Sequence, residues 1–350
     1  MPPKVSVIIP IFNGSRHGLK YCLESVIQQD YKNMEFILID DSSTDDSLDV
    51  IMSEMHTSQK HCKVIHHEIN DGLSKTLNEG VAESSGKYIL ILQQDCSLIS
   101  RTSVKDSIDF IESFGCSVLV GVPEVNWKCL NTFQRVFKIR INESEVDNKQ
   151  SNRVLVTQLK CDLFKKEVFS LVGGFDFIHR SVGQDFVMSS KLYENSIQMF
   201  TYSKFVYRIR YEGENTFESL CKKEFRYALA VPYVARAWFR SGLLLTTDSG
   251  QSKKKKHGRF FNLLFPTVLV LFTAAYFVTG NTLAITFVTI LFLVWVFRTL
   301  KIIKILKTYG LTSHQVVVSV LTFITLDLIY SVGFYVGTIY LLKNQKIPSH

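Results

Sequence analysis

Three acidic groups have the residue types and the placement for chemistry: Asp40 with Asp41, then Asp95, then Asp185. Each falls where a parallel sheet would present its C-terminal edge. Clustered carboxylates at such an edge can hold a hard divalent cation, which in turn neutralises phosphate oxygens. Every member also has a simpler local reading. Asp40 and Asp41 can serve as a helix N-cap with extra charge, and Asp95 and Asp185 can each cap a following helix. One of these alone would carry little; the ordered series carries the case. Lys75, Arg135 and Lys138 could steer phosphates, against the plainer alternative of a solvated face. His179, between Asp176 and Asp185, reads as a loop residue rather than a catalyst.

The element that must position Asp95 is the strand ahead of it. In GKYILILQQDCS, residues 86–97, a glycine precedes the apolar run Tyr88–Leu92, which ends abruptly at Gln93, Gln94 and Asp95. A continuous apolar run of that length suits a strand covered on both faces. Ligands of open α/β sheets bind at the carboxyl ends of such strands. Upstream, strands at 5–9, 35–39 and Cys62–His66 alternate with helices at 18–29, up to about 55, and Leu73–Glu83. A helix at 104–114 and a strand at 118–122 continue the series. This alternation predicts an α/β fold with a doubly wound, mostly parallel sheet. Residues 124–152 show no clear period and read as a long excursion over the sheet edge. A strand at 154–159, a short helix at 165–171 and a helix at 184–193 follow.

The formal net charge of +8 is unevenly placed. Eleven Lys and Arg against one acid, Asp327, lie in residues 251–350, so that third carries +10 and the first 250 residues carry −2. The same third holds the long apolar runs, so its charges read as membrane flanks and argue against a nucleic-acid partner. Seven cysteines, never in a CxxC pair, give no disulfide framework or zinc spacing and fit a reducing compartment. The N-terminal apolar run is too short for a signal peptide. The acceptor patterns at Asn13 and Asn142 are then chance matches in a cytoplasmic domain.

Residues 217–245 mix Arg226, Arg236 and Arg240 with Phe225, Tyr227, Tyr233, Trp238 and Phe239. That composition suits a helix in the membrane interface, with a surface helix over the sheet as the alternative. Beyond it, 260–278 is long enough to span, 282–297 spans if it runs into 300–306, and 316–342 is ample. Gly280-Asn281 makes the first two a tight hairpin whose basic flanks, 253–259 and 298–307, face the cytoplasm. The expected organisation is a cytoplasmic domain over 1–215, an interfacial segment over 216–259, three transmembrane helices within 260–342 and a tail over 343–350. Such a chain is multi-pass in the cell membrane, and its basic tail, with Lys343 and Lys346, falls outside. Asp327 in the third span is a functional candidate or a partner for a neighbouring helix.

At this point the chain resembles a known family. VSVIIPIFN, IDDSSTDDS, NDGLSKTLNEG, GKYILILQQD and GGFDFIHRSVGQD follow the order and spacing of the inverting family 2 glycosyltransferases of GT-A fold. The resemblance covers residues 4–194. It implies that Asp41 sits against the nucleotide base, with Pro10 and Asn13 shaping that pocket beside Asp40 and Lys75. It implies that Asp95 ligates a divalent cation, Mg²⁺ or Mn²⁺, bridging the diphosphate of a UDP-, GDP- or dTDP-sugar. It implies that Asp185 deprotonates the acceptor hydroxyl. Two departures stand out. Gln93 replaces the family's usual Asp, with Cys96 where an acid is frequent, so Gln93 and Gln94 are left to hydrogen-bond the ribose or sugar. Gln184 replaces the Glu that usually precedes the catalytic Asp, which removes a like charge and lowers the basicity of Asp185.

Joined to membrane segments, such a domain is expected to transfer sugar to a lipid-linked polyprenyl or dolichyl glycan. Direct transfer to a polyprenyl phosphate is the enzymatic alternative. A non-catalytic membrane subunit that binds a nucleotide sugar is the other, kept open by Gln93 and Gln184. No Gln-x-x-Arg-Trp follows Asp185, which disfavours a processive synthase.

Overall fold

A computed structural model describes residues 2–58, 60, 62–125, 129–141, 153–176, 183–210, 216–242 and 311–343, with scattered helical positions between 286 and 307. Its centre is a mixed sheet in the order β3-β2-β1-β4-β8-β6-β9-β5, with β7 paired to β9. The strands are β1 Val5–Ile11, β2 Met34–Asp40, β3 Cys62–His66, β4 Tyr88–Leu92, β5 Cys96–Leu98, β6 Val118–Glu124, β7 Arg153–Val154, β8 Cys161–Lys165 and β9 Met199–Ile209. The first four pair in parallel. From β4 onward the expected parallel order breaks, because β8 runs antiparallel to both β4 and β6.

The apolar strands are what a sheet covered on both faces requires. Every residue of β1 and β4 is buried. Side chains alternate between faces. Val5, Val7, Ile9 and Leu90 pack with α1 (Leu19–Ile27), α2 (Ser47–Ser58) and α4 (Ser103–Phe114). Ile8, Ile37, Ile39, Ile89 and Ile91 pack on the other side with α3 (Leu73–Glu83), α6 (Glu167–Val172) and α7 (Gln184–Glu194).

Several expectations need correction. Pro10 does not stop β1 but lies inside it, paired with Ile39. The stretch 124–152 contains a helix, α5 (Thr132–Ile141). The strand expected at 154–159 shrinks to β7, and β8 and β9 were not anticipated. Asp95 is followed by β5, not by a helix, so the N-cap reading of that residue falls.

The amphipathic segment forms α8 (Phe217–Ser241), and the third apolar run forms α9 (Ser313–Leu342). Among the described residues α9 is the one helix long and apolar enough to cross a membrane. The expected span at 260–278 and most of that at 282–297 lie outside the described residues. Helix α9 packs lengthwise on α8. Phe323 and Leu326 meet Leu220 and the α5 residues Val136 and Phe137, while Tyr330 meets Ala228. Asp327, 6% exposed, lies on this packed stretch of α9. The outer stripe, Val317, Leu321, Leu328, Val332 and Ile339, is exposed.

Glycines set how closely the two helices approach. A Cβ on Gly337 would lie 2.3 Å from the carbonyl oxygen of Leu229, and one on Gly333 would lie 2.9 Å from that of Phe225. Backbone cannot yield as a flexible side chain does. Gly337→Ala is therefore expected to push the helices apart and destabilise the chain by about 1–3 kcal/mol, the usual cost of overpacking. Thermal unfolding in detergent measures it, and an unchanged midpoint would refute the close contact.

Candidate active site

The C-terminal ends of β1, β2 and β4 share one sheet edge, and two groups of side chains gather there. The first surrounds the tip of β4. The Gln93 amide N–H donates to the Lys160 carbonyl (2.8 Å), the Cys96 N–H to that of Gln93 (2.9 Å), and the Arg210 N–H to that of Asp95 (2.8 Å). The tip is thus held from three directions. At its end the Asp95 carboxylate receives the Lys160 ammonium on both oxygens, at 3.1 and 2.9 Å. Burial alone would raise the pKa of Asp95, but the charge and hydrogen bonds of Lys160, with the Cys96 thiol and Lys223, outweigh it and hold the carboxyl below its usual range. Burial likewise opposes the charge on Lys160, and Asp95 overrides it in turn.

Lys160 was not foreseen, and no local signal marks it: it reaches Asp95 across 65 residues of sequence. Its loop is firmly tethered. Asp162, fully buried, accepts from the Leu159 N–H (2.8 Å), the Gly121 N–H (3.3 Å) and the Thr157 hydroxyl. Burial pushes the Asp162 carboxyl up to about 6 despite these bonds. The Thr157 N–H donates to Ser189 of α7 (3.0 Å), so the loop that carries Lys160 also fixes the helix headed by Asp185. Asp185 is partly exposed at that head, and Gln184 beside it is 4% exposed. Trp238 of α8 seals the same helix by donating to the Phe186 carbonyl (3.0 Å).

Lys138, weighed as a solvated residue, is instead buried on α5 at 1% exposure. Burial first, then Lys223 and Lys160, push its ammonium down to about 6. The two glutamines are held by protein backbone. The Gln94 side chain accepts from the Phe12 N–H (2.8 Å) and donates to the Phe12 carbonyl (2.9 Å), and Gln93 donates to the Leu159 carbonyl (3.0 Å). A Cβ on Gly14 would lie 2.6 Å from the Gln94 amide oxygen, so the β1 loop closes on this glutamine because residue 14 has no side chain.

The second group lies at the tip of β2. Asn13, at φ 49°, accepts from the Thr44 N–H (2.8 Å) and locks the β1 loop to the β2 loop. Asp40 is fully buried, with one oxygen on His66 Nδ1 (2.7 Å) and the other, Oδ1, buried without a hydrogen-bond partner. Asp41 accepts from the Asp71 N–H (2.7 Å), the Gly72 N–H (2.9 Å) and His67 Nδ1 (2.8 Å). It anchors the start of α3, and His67 continues the chain to Glu79 (2.7 Å). Lys75 lies at the exposed rim of this cluster, paired at 2.5 Å with Asp71, whose carboxylate is also 3.9 Å from His67.

A metal set of several side chains is absent: among the described residues no three His, Cys, Asp or Glu gather to hold an ion. Asp95 offers one carboxylate, between neutral Gln94 and Cys96. It fits Mg²⁺ or Mn²⁺ only where substrate oxygens and water complete the shell.

Comparison with known proteins agrees with this architecture. Residues 6–173 match the family model Glycosyl transferase family 2. Glycosyltransferase GlyG of Streptococcus pneumoniae is 29% identical over 121 residues, 35% of this chain and 39% of that protein. Glycosyltransferase GlyA of the same species is 26% identical over 221 residues, 59% of this chain and 31% of that protein. The chain therefore spans well under half the length of these relatives. Among solved structures, mannosyltransferase PcManGT from Pyrobaculum calidifontis, in complex with GDP-Man and Mn²⁺, superposes with a TM-score of 0.59 at 15% identity, covering 96% of this chain and 88% of that one. That likeness establishes a shared fold.

The Asp41–His67–Glu79 chain gives a pH dependence with a definite sign. Burial disfavours charged His67, but the hydrogen bonds it donates to Asp41 and Glu79 outweigh it and raise its pKa in the fold. Its contribution to stability is therefore full below the unfolded value of about 6.5 and is lost as pH rises through the raised folded value. Thermal midpoints between about pH 6 and about pH 9 should fall more steeply for the native chain than for His67→Gln. Equal slopes would count against the chain.

Proposed function

We propose that this chain, whose residues 6–173 form a family 2 glycosyltransferase domain, transfers a sugar from a nucleotide-sugar donor to a lipid-linked polyprenyl or dolichyl glycan with inversion. The observation that carries the reading is the tip of β4, where Asp95 and Lys160 meet beside the loop that tethers the Asp185 helix. The Lys160 ammonium, with Lys223 within electrostatic reach of Asp95, is what a diphosphate would meet there. The base is assigned to the residues Pro10, Asn13, Asp40 and Asp41 at the ends of β1 and β2, of which Asn13 is partly exposed. Asp95 would hold a Mg²⁺ or Mn²⁺ ion, whose chemistry is to neutralise charge growing on the departing diphosphate. Asp185 takes the proton from the acceptor hydroxyl while its oxygen attacks the anomeric carbon from the face opposite the diphosphate. The anomeric bond to the diphosphate breaks as the new glycosidic bond forms.

Incubation of membranes with radiolabelled UDP-, GDP- and dTDP-sugars, followed by lipid extraction, tests the reaction. Asp185→Asn preserves shape and removes the base, so turnover should fall by about 10²–10⁴-fold, the usual worth of general-base catalysis, with donor binding nearly unchanged. A much smaller fall would indicate an acceptor already ionised, such as a polyprenyl phosphate. Donor binding without transfer to any lipid would defeat the enzymatic reading.

Attachment to the membrane belongs to the same proposal. Among the described residues α9 is the one helix long and apolar enough to cross. It runs alongside α8, which carries Lys222, Lys223, Glu224 and Arg226. Charges carried into hydrocarbon cost several kcal/mol, so a crossing by α9 requires that α8 stay at the interface. A cysteine at position 346 should label from outside the cell if α9 crosses, and protection of that position would place α9 along the membrane surface instead.

A further inference from the structure

We propose that Lys160 is the resident counter-ion of this site: it holds the Asp95 carboxylate until a donor diphosphate takes over its ammonium, and so makes divalent-cation binding at Asp95 depend on the donor. The inference rests on the nucleotide-sugar reading above. Its foundation is geometric. The Lys160 ammonium reaches both Asp95 oxygens, at 3.1 and 2.9 Å, and therefore covers the edge of the carboxylate that a coordinated cation would use. The sequence neighbours of Asp95 (Gln93, Gln94 and Cys96) offer that cation no second carboxylate. The two glutamines are held by Leu159 and Phe12, and the Cys96 thiol donates to Asp95 itself (3.4 Å).

Charge points the same way. Lys223 lies within electrostatic reach of Asp95. A divalent ion arriving alone would meet two ammonium groups, those of Lys160 and Lys223, against one carboxylate, whereas a diphosphate arriving first meets its complement. Once the phosphates have drawn the Lys160 ammonium away, Asp95 is released and the phosphate oxygens supply the ligands that the protein lacks. The exchange needs no backbone movement. The Lys160 carbonyl stays bound to the Gln93 N–H (2.8 Å) while the four-carbon stem swings its compact charge from carboxylate to phosphate.

The test is a titration of the full chain in detergent with Mn²⁺, followed by electron paramagnetic resonance, alone and with UDP, GDP or dTDP. In the native chain Mn²⁺ alone should bind weakly and tighten at least about tenfold with the nucleotide that binds, a coupling of ordinary size. In Lys160→Gln, Mn²⁺ alone should bind about tenfold tighter than in the native chain, and the gain from nucleotide should shrink by a similar factor. Lys160→Arg keeps a cation on Asp95 and should restore the native pattern. A lysine that merely holds Asp95 in place predicts the reverse, weaker Mn²⁺ binding in Lys160→Gln, and that result would overturn the proposal. So would a nucleotide-induced gain equal in the native chain and Lys160→Gln. Nucleotide binding with no such difference sinks the role of Lys160 alone. Failure of all three nucleotides to bind, with or without Mn²⁺, sinks the donor reading as well.

Discussion

A carboxylate set at the end of a strand with no water on either face needs a cation, and the organisation of this molecule follows from that need. All five residues of β4 are fully buried, and Asp95 follows them by three positions. Its side chain is only 24% exposed, so leaving the charge unpaired there would be unfavourable. Lys160 supplies the pairing, and its loop must then be fixed in place. That explains a costly feature nearby, the fully buried Asp162, whose oxygens gather Thr157, Leu159 and Gly121 around the turn. A buried acid thus shapes the loop that neutralises Asp95.

The same edge is knitted together by side chains that imitate backbone. Gln94 pairs with the Phe12 peptide through both its amide groups, as a neighbouring strand would. Asn13 does similar work for Thr44, and Asp41 for Asp71 and Gly72. Three loops that carry no regular pairing of their own thereby become one rigid rim. A carboxylate at position 93 or 94 could accept from these N–H groups but could not donate to the Leu159 or Phe12 carbonyls. The glutamines are thus intelligible as structural choices that also thin the negative charge at the tip.

Much of this was legible in the sequence. The bounds of α3 and β4 follow from periodicity, because Leu73, Leu77 and Val81 repeat on one helical face and Tyr88–Leu92 is uniformly apolar. The acidic tips follow from where such strands end. The break in sheet order was not legible: β8, CDLFK, places a buried Asp and a Lys in a strand and lacks both alternation and an apolar run. Helix α5 was hidden for a related reason, since Arg135 and Lys138 sit among its apolar positions and blur the stripe. The partnership of Asp95 with Lys160 is a product of tertiary folding. No window shorter than 65 residues contains both.

The order of events at the site is constrained by how its two halves are connected. Asp185 and Lys160 belong to elements joined by the Thr157–Ser189 hydrogen bond, and Trp238 of α8 clamps the first turn of the same helix. Helix α8 in turn is fixed to α9 through the glycine contacts and to α5, which carries Lys138. A displacement of α8 against α9 would therefore be felt first at Phe186, one residue beyond Asp185, and on α5 with its Lys138. The donor half of the edge, around Asp40, Asp41 and His67, hangs instead on β2 and α3 and has no such link to α8 among the described contacts. On the proposed function, donor recognition would then rest on the rigid sheet, while Asp185 and Lys160 stand on the elements tied to α8. That division would suit a catalyst whose donor comes from solution and whose acceptor is lipid-linked.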